Sequence, residues 1–183
     1  NAMAEFVAQE EMDRMTGYWW APDESAIAFT RIDESAVEQV TRNEIYADGI
    51  KLTEQRYPYA GKNNIDIALG VVTLKDKAIN WVTLSDDKNK DIYLPRVDWL
   101  PGSKHLSFQW QSRDQHQLDL QLVALDALTK PKTLVKERSD AWVNLNNDLH
   151  FLKQQSAFIW ASERDGFNHL YLFDLKGKLK TQL

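Results

Sequence analysis

A repeated tryptophan, turn and strand unit restricts the fold of this chain more than any other feature. Trp20-Ala21-Pro22-Asp23-Glu24-Ser25-Ala26-Ile27-Ala28-Phe29 aligns position for position with Trp99-Leu100-Pro101-Gly102-Ser103-Lys104-His105-Leu106-Ser107-Phe108. In each copy the proline presets φ and Asp or Gly completes the bend before the strand. A second recurrence runs beside it. Val71-Val72-Thr73-Leu74, Val123-Ala124-Leu125-Asp126 and Phe173-Asp174-Leu175 place leucines at 74, 125 and 175, which are 51 and 50 residues apart. That spacing is close to one propeller blade.

The segments between these markers are short and strand-like. Tyr18-Trp19-Trp20, Leu106-Ser107-Phe108-Gln109-Trp110 and Ala157-Phe158-Ile159-Trp160 are rich in the aromatic and β-branched residues that suit a pleated surface. The expected class is therefore all-β, in units at about 18–88, 91–140 and 142–183. In the second unit the strands fall at Asp98–Leu100, Leu106–Trp110, Leu118–Leu125 and Lys132–Val135. A four-stranded blade cannot bury both faces alone, so neighbours must stack on it. Three such units are fewer than the four to eight of a typical ring. The chain thus reads as a partial β-propeller, an arc of a larger ring within residues 4–183. A self-contained β-sandwich with coincidental repeats is the alternative. An open arc leaves its two terminal faces apolar and uncovered, and self-association is expected from that. The first unit carries an excess at about 34–61, where alternation in Ile45-Tyr46 and Lys51-Leu52-Thr53-Glu54-Gln55 suggests an extended hairpin arm.

Composition removes several function classes. The 183 residues are 43% apolar, enough for a real core, and carry a net charge of -5 with no basic run. That argues against nucleic acid and anionic membranes as partners. No apolar run approaches the roughly 18 residues of a membrane span. Cysteine is absent, which excludes disulfides and thiolate metal sites and leaves the compartment open between cytoplasm and periplasm. The four histidines, at 105, 116, 150 and 169, show no zincin spacing. Neither a metal nor a cofactor is expected. His169 is expected to support the Asp165-Gly166 turn. The tryptophans are expected in the blade cores. Asn1-Ala2-Met3 reads as a vector scar followed by a start methionine.

The candidate site lies just ahead of the first strand, where Gln9-Glu10-Glu11-Met12-Asp13-Arg14 sets two carboxylates side by side. Two carboxylates offer up to about eight acceptor lone pairs, and an ammonium group is recognised by such charge-assisted bonds. Neighbouring residues diverge by about 100° in a helix, so convergence needs a turn or an irregular backbone. Residues Glu10 to Met15 are expected to supply that turn. The plainer alternative is two solvated acids at a helix N-terminus, where negative charge is favoured. Arg14 either neutralises an acid or pairs with Asp13 at the surface, and the surface pair is the preferred reading.

These motifs, taken in order, resemble the dipeptidyl peptidase IV branch of the prolyl oligopeptidase family. The resemblance rests on Glu10-Glu11 before Tyr18-Trp19-Trp20, on Tyr57-Pro58-Tyr59-Ala60-Gly61-Lys62-Asn63-Asn64, on Trp142-Val143-Asn144 followed by Phe151-Leu152, and on Ser162-Glu163-Arg164-Asp165-Gly166-Phe167-Asn168-His169-Leu170-Tyr171. It implies an eight-bladed propeller joined to a C-terminal α/β-hydrolase domain with a Ser-Asp-His triad. It further implies a serine exopeptidase that releases N-terminal dipeptides of the Xaa-Pro type. Glu10 and Glu11 would then bind the free amino terminus of the peptide substrate, and the arm would help join two subunits of a homo-oligomer. The chain has no Gly-x-Ser-x-Gly nucleophile elbow, and the upstream arginine that assists substrate binding in relatives has no counterpart here. The parent would be the enzyme, and this segment alone would be inactive. The rival reading is a non-catalytic propeller scaffold for protein partners.

Overall fold

The structure is a computed structural model that describes residues 3–84, 91–145, 147–153 and 156–183. Asn1 and Ala2 of the expected scar, and 85–88 of the expected first unit, lie outside the described residues. One short helix, α1 (Phe6–Glu11), precedes β1 (Tyr18–Trp20), β2 (Ala26–Asp33), β3 (Gln39–Tyr46), β4 (Gly49–Arg56), β5 (Asp66–Thr73) and β6 (Ile79–Trp81). Then follow β7 (Ile92–Tyr93), β8 (Val97–Trp99), β9 (His105–Ser112), β10 (Gln117–Ala124) and β11 (Lys132–Arg138). The last group is β12 (His150–Phe151), β13 (Ala157–Ser162), β14 (His169–Asp174) and β15 (Leu179–Gln182). Among the described residues three antiparallel sheets result, in the orders β1-β2-β5-β6, β11-β10-β9-β7 and β12-β13-β14-β15, with β3-β4 standing apart as a hairpin. The first position of the middle sheet is split, because β7 and β8 both pair with β9. Pro95 lies between them and cannot donate to a ladder.

The two sequence recurrences are each one hydrogen bond, repeated. After Trp20 and Trp99, the Ala21 N–H donates to Ala26 O at 2.9 Å and the Leu100 N–H to His105 O at 3.0 Å. A third copy without the proline stands at Leu152, whose N–H donates to Ala157 O at 3.0 Å. Both turns have a left-handed residue at Glu24 (φ 59) and its equivalent Ser103 (φ 56), and in the second turn Gly102 (φ 90) is left-handed too. The leucines at 74, 125 and 175 each follow the third strand of a sheet. Their N–H groups donate to Ser25, Lys104 and Ser156, at 2.9, 3.1 and 3.1 Å.

Stacking decides burial. On β9, Leu106, Phe108 and Trp110 point to one face and join Ala28, Leu69 and Val71 of the first sheet in one core. On the other face Leu118, Leu120 and Leu122 of β10 meet Phe158, Trp160, Tyr171 and Phe173 of the third sheet. The middle sheet is thus buried on both faces and the outer two on one. Trp99 Nε1 donates to Trp19 O at 3.0 Å, tying the first two sheets together beside the repeated tryptophan of the first. The fold is that of a partial β-propeller.

The outward face of the first sheet is aromatic. Tyr18, Phe29, Gly70 and Trp81 share one cross-strand row, and Trp20, Ile27, Val72 and Ile79 the next. Gly70 is required there, since a Cβ would lie 2.8 Å from the Phe29 ring and 3.0 Å from Trp81. Its absence lets those rings meet edge to face at 5.7 Å. The tryptophans therefore divide. Trp110 and Trp160 are core, Trp19 and Trp99 pack against it, and Trp20, Trp81 and Trp142 are exposed. Core placement holds only where a neighbouring sheet covers the face.

Candidate functional site

The segment carrying the acid pair is a closed loop. Met3 bridges Thr16 in antiparallel sense, and the Ala4 N–H donates to Met15 O at 3.0 Å. Met3, set aside with the scar on sequence grounds, is part of this closure. Between the two ends, Ala4, Ala8 and Met12 recur every four residues and line one side. All three are buried with Tyr93 in a small core of their own. The helix stops at Met12 because Asp13 takes φ 50, the left-handed conformation in which helices commonly end and which Asp tolerates. The Arg14 N–H then turns back to Ala8 O at 2.9 Å.

Glu10 and Glu11 are therefore the last two residues of α1. The turn expected at Glu10–Met15 is in fact a helix at Phe6–Glu11, and the acids sit at its C-terminus rather than its N-terminus. The apolar spacing of Ala4, Ala8 and Met12 sets that register. This is the end at which the peptide dipole disfavours negative charge. α1 itself has no acid in its first turn and no base in its last. Both carboxylates are exposed, and among the described residues neither takes a hydrogen bond or an ion pair. The two side chains look onto different surroundings. Glu10 lines an open cleft of about 1110 Å³ with Phe6, Gln9, Arg31, Glu54 and Arg56, between α1 and the root of the hairpin. Glu11 does not line that cleft, and its charge acts on Tyr93. Burial pushes the Tyr93 phenol up, Arg113 pulls the other way, and the Asp91 and Glu11 carboxylates add to the rise.

Arg14 is not a surface partner of Asp13. It is buried, and its Nη2 donates to both oxygens of Glu5, at 2.7 and 2.6 Å. Its Nη1 donates to Thr16 O at 3.0 Å, and the guanidinium stands 5.9 Å from the centre of the Trp19 ring. Nothing local foretells the pairing, because the two residues meet only when the left-handed Asp13 reverses the chain.

Two further residues escaped the sequence reading. Arg96 brings to the helix end the positive charge that α1 lacks. Its Nη1 donates to Met12 O at 2.6 Å, and its Nε and Nη2 donate to Asn147 Oδ1 at 2.9 and 2.7 Å. Burial holds the Arg96 guanidinium below its ordinary value, while Asp13 and Asp98 oppose that shift. Phe6 meets Tyr57 edge to face at 5.2 Å, and Tyr57 leans on Tyr59 at 4.5 Å. Arg113 Nη2 donates to Pro58 O and Tyr59 O at 3.1 and 3.2 Å. The helix, the root of the hairpin and the second sheet thus meet at one end of the molecule. His169 Nε2 lies 3.6 Å from Asp165 Oδ2, beside the Asp165-Gly166 turn as expected. Among the described residues no three His, Asp or Glu side chains group as a metal site.

Residues 1–183 match the family of the dipeptidyl peptidase IV (DPP IV) N-terminal region. The chain belongs to that family. Dipeptidyl peptidase 8 of Mus musculus is 27% identical to it over 216 residues, covering 92% of this chain and 24% of the relative. Porphyromonas gingivalis dipeptidyl peptidase 4 superposes with a TM-score of 0.87 at 28% identity, over 99% of this chain and 26% of that one. A dipeptidyl aminopeptidase IV structure from Bacteroides ovatus gives 0.80 at 29% identity, over 92% and 24%. The chain spans about a quarter of the length of these relatives. Its sheets are consequently part of a DPP IV N-terminal region, and the relatives that share them are dipeptidyl peptidases.

Proposed function

We propose that Glu10 and Glu11 bind the free ammonium group of a peptide substrate in a serine exopeptidase that releases N-terminal dipeptides of the Xaa-Pro type. The observation that carries this reading is that, among the described residues, both carboxylates lack a hydrogen-bond or ion-pair partner at the helix end least suited to them. A cation from outside relieves their mutual repulsion and their conflict with the helix dipole together. The pair then acts as a ruler. With the amino terminus anchored, each residue of extended substrate spans at most about 3.6 Å. A serine held two residues away, in a C-terminal α/β-hydrolase domain, cuts only after the second residue. The hairpin supplies the contact between two subunits, since Ile45, Ile50 and Leu52 share one face and are all exposed.

The test uses the full-length protein and two substrates, a dipeptidyl amide with a free amino terminus and a small ester without one. Glu10→Gln or Glu11→Gln removes a charge-assisted bond of about 1.5–3 kcal/mol, so kcat/KM on the first falls about 10- to 100-fold. Turnover of the ester stays unchanged. Equal losses on both substrates overturn the reading. The exposed apolar face of the hairpin also suits the rival, a scaffold for protein partners. Reading the gene past Leu183 separates the two, because only the exopeptidase needs a hydrolase domain there.

A further inference from the structure

We infer that the buried Glu5–Arg14 ion pair is a positioning device for the acid pair, setting the orientation in which Glu10 and Glu11 meet a substrate ammonium. The inference rests on the amine-binding reading and extends it to two residues that touch no substrate.

Glu5 occupies the N-cap of α1, where a side chain ordinarily accepts a bond from the first helical turn. Its carboxylate makes no such bond. It turns instead to Arg14, three residues beyond the helix, and both side chains are almost wholly buried, at 2% and 6% exposed. The pair thus joins the residue before the helix to the third residue beyond it, with Glu10 and Glu11 on the span between. Arg14 also holds Thr16 O and stands over Trp19 of β1, so the joined loop is keyed to the first sheet. Apolar residues of similar size commonly stabilise a fold as well as a buried ion pair does, or better. What they lack is direction. Two short bonds from Nη2 to the Glu5 carboxylate, with one from Nη1 to Thr16 O, fix an orientation that packing alone leaves free. Adjacent helical side chains diverge by about 100°. A small rotation of α1 therefore decides how far both acids can reach one ammonium.

The deciding variant is the full-length protein carrying Glu5→Leu with Arg14→Met, which removes both charges and keeps the packing. Its expected behaviour is a KM raised about tenfold on the free-amine substrate, kcat within about twofold, and unchanged ester turnover. Glu10→Gln placed on that background costs less than half of its fold-loss in the wild type, because the acid is already misdirected. Exchange of the Gln9 and Arg14 amide hydrogens, which close the two ends of the helix, accelerates about tenfold or more. An unchanged KM, with the full penalty for Glu10→Gln and unchanged exchange, overturns the positioning role while amine binding stands. If Glu10→Gln and Glu11→Gln are silent in the wild type, the amine reading falls, and the positioning role with it. Should the double variant fail to fold, Arg14→Lys keeps the charge but gives up the second nitrogen, the one that holds Thr16 O. It is expected to raise KM about threefold, and no rise overturns the proposal.

Discussion

Two projections leave the same end of the first sheet, and they are built in opposite ways. The loop at 3–16 turns Ala4, Ala8 and Met12 inward, and its charged clasp is buried. Met12 and Ala8 are sealed in a core with Tyr93, and Glu5 and Arg14 lie out of water. The hairpin of β3 and β4 turns its apolar residues outward. Ile45 and Ile50 are cross-strand partners, Leu52 shares their face, and all three are exposed. Its opposite face carries a solvated polar network in which Glu44 accepts from Tyr46, Thr53 and Arg42 at 2.7 to 2.9 Å. The difference matches the parts proposed for the two projections. A group that must point accurately stands on a support held by its own protein. A surface that must be covered by something else keeps its apolar side free. Phe6 against Tyr57 is the aromatic contact between the two.

The comparison breaks most readily at Met12. Met12→Ala removes a core side chain and is expected to cost about 2–5 kcal/mol in denaturant unfolding. Ile45→Ser on the hairpin is expected to stay within about 0.5 kcal/mol. Equal costs would mean that the loop is no better supported than the hairpin. Leu52→Glu places a charge on the outward face, and is expected to weaken self-association of the full-length protein tenfold or more in sedimentation, with ester turnover intact. An unchanged dissociation constant would remove the hairpin from the subunit contact. Phe6→Ala is expected to cost about 1 kcal/mol, and to speed amide exchange in the loop and at the hairpin root together. Acceleration on one side alone would show the two projections to be independent.

The smallest effect concerns pH. Hydrogen bonds from Tyr46, Thr53 and Arg42 hold the Glu44 carboxyl at about 2, well under its ordinary 4.5. A depressed value means that the ionised form is favoured by the folded hairpin. The contribution is complete above about 4.5 and fades as pH falls toward 2. Hairpin amides are expected to lose protection between pH 5 and about 2.5, beyond the intrinsic pH dependence of exchange, and Glu44→Gln is expected to abolish that extra loss. Solvent screening keeps the effect slight.

Much of this was legible in the chain before any coordinates. The Trp-x-Pro turns and the leucines at 74, 125 and 175 are local signals, and each proved to be one repeated hydrogen bond. The acid pair was equally visible, because two neighbouring glutamates ahead of paired tryptophans need no contact to be noticed. What escaped was anything decided by a partner distant in sequence. Pro95 was in plain view, yet the division of β7 from β8 emerged only when both were seen on one neighbour.

The sequence by itself determined the strands, their repeat and the presence of an anionic pair, because turn chemistry and side-chain alternation act over a few residues. Tertiary structure decided where those acids stand on their helix, which acid Arg14 neutralises, and which tryptophans are covered. Those outcomes depend on a chain reversal at Asp13 and on neighbouring sheets, and burial and charge pairing take effect only between groups that the completed fold has brought together.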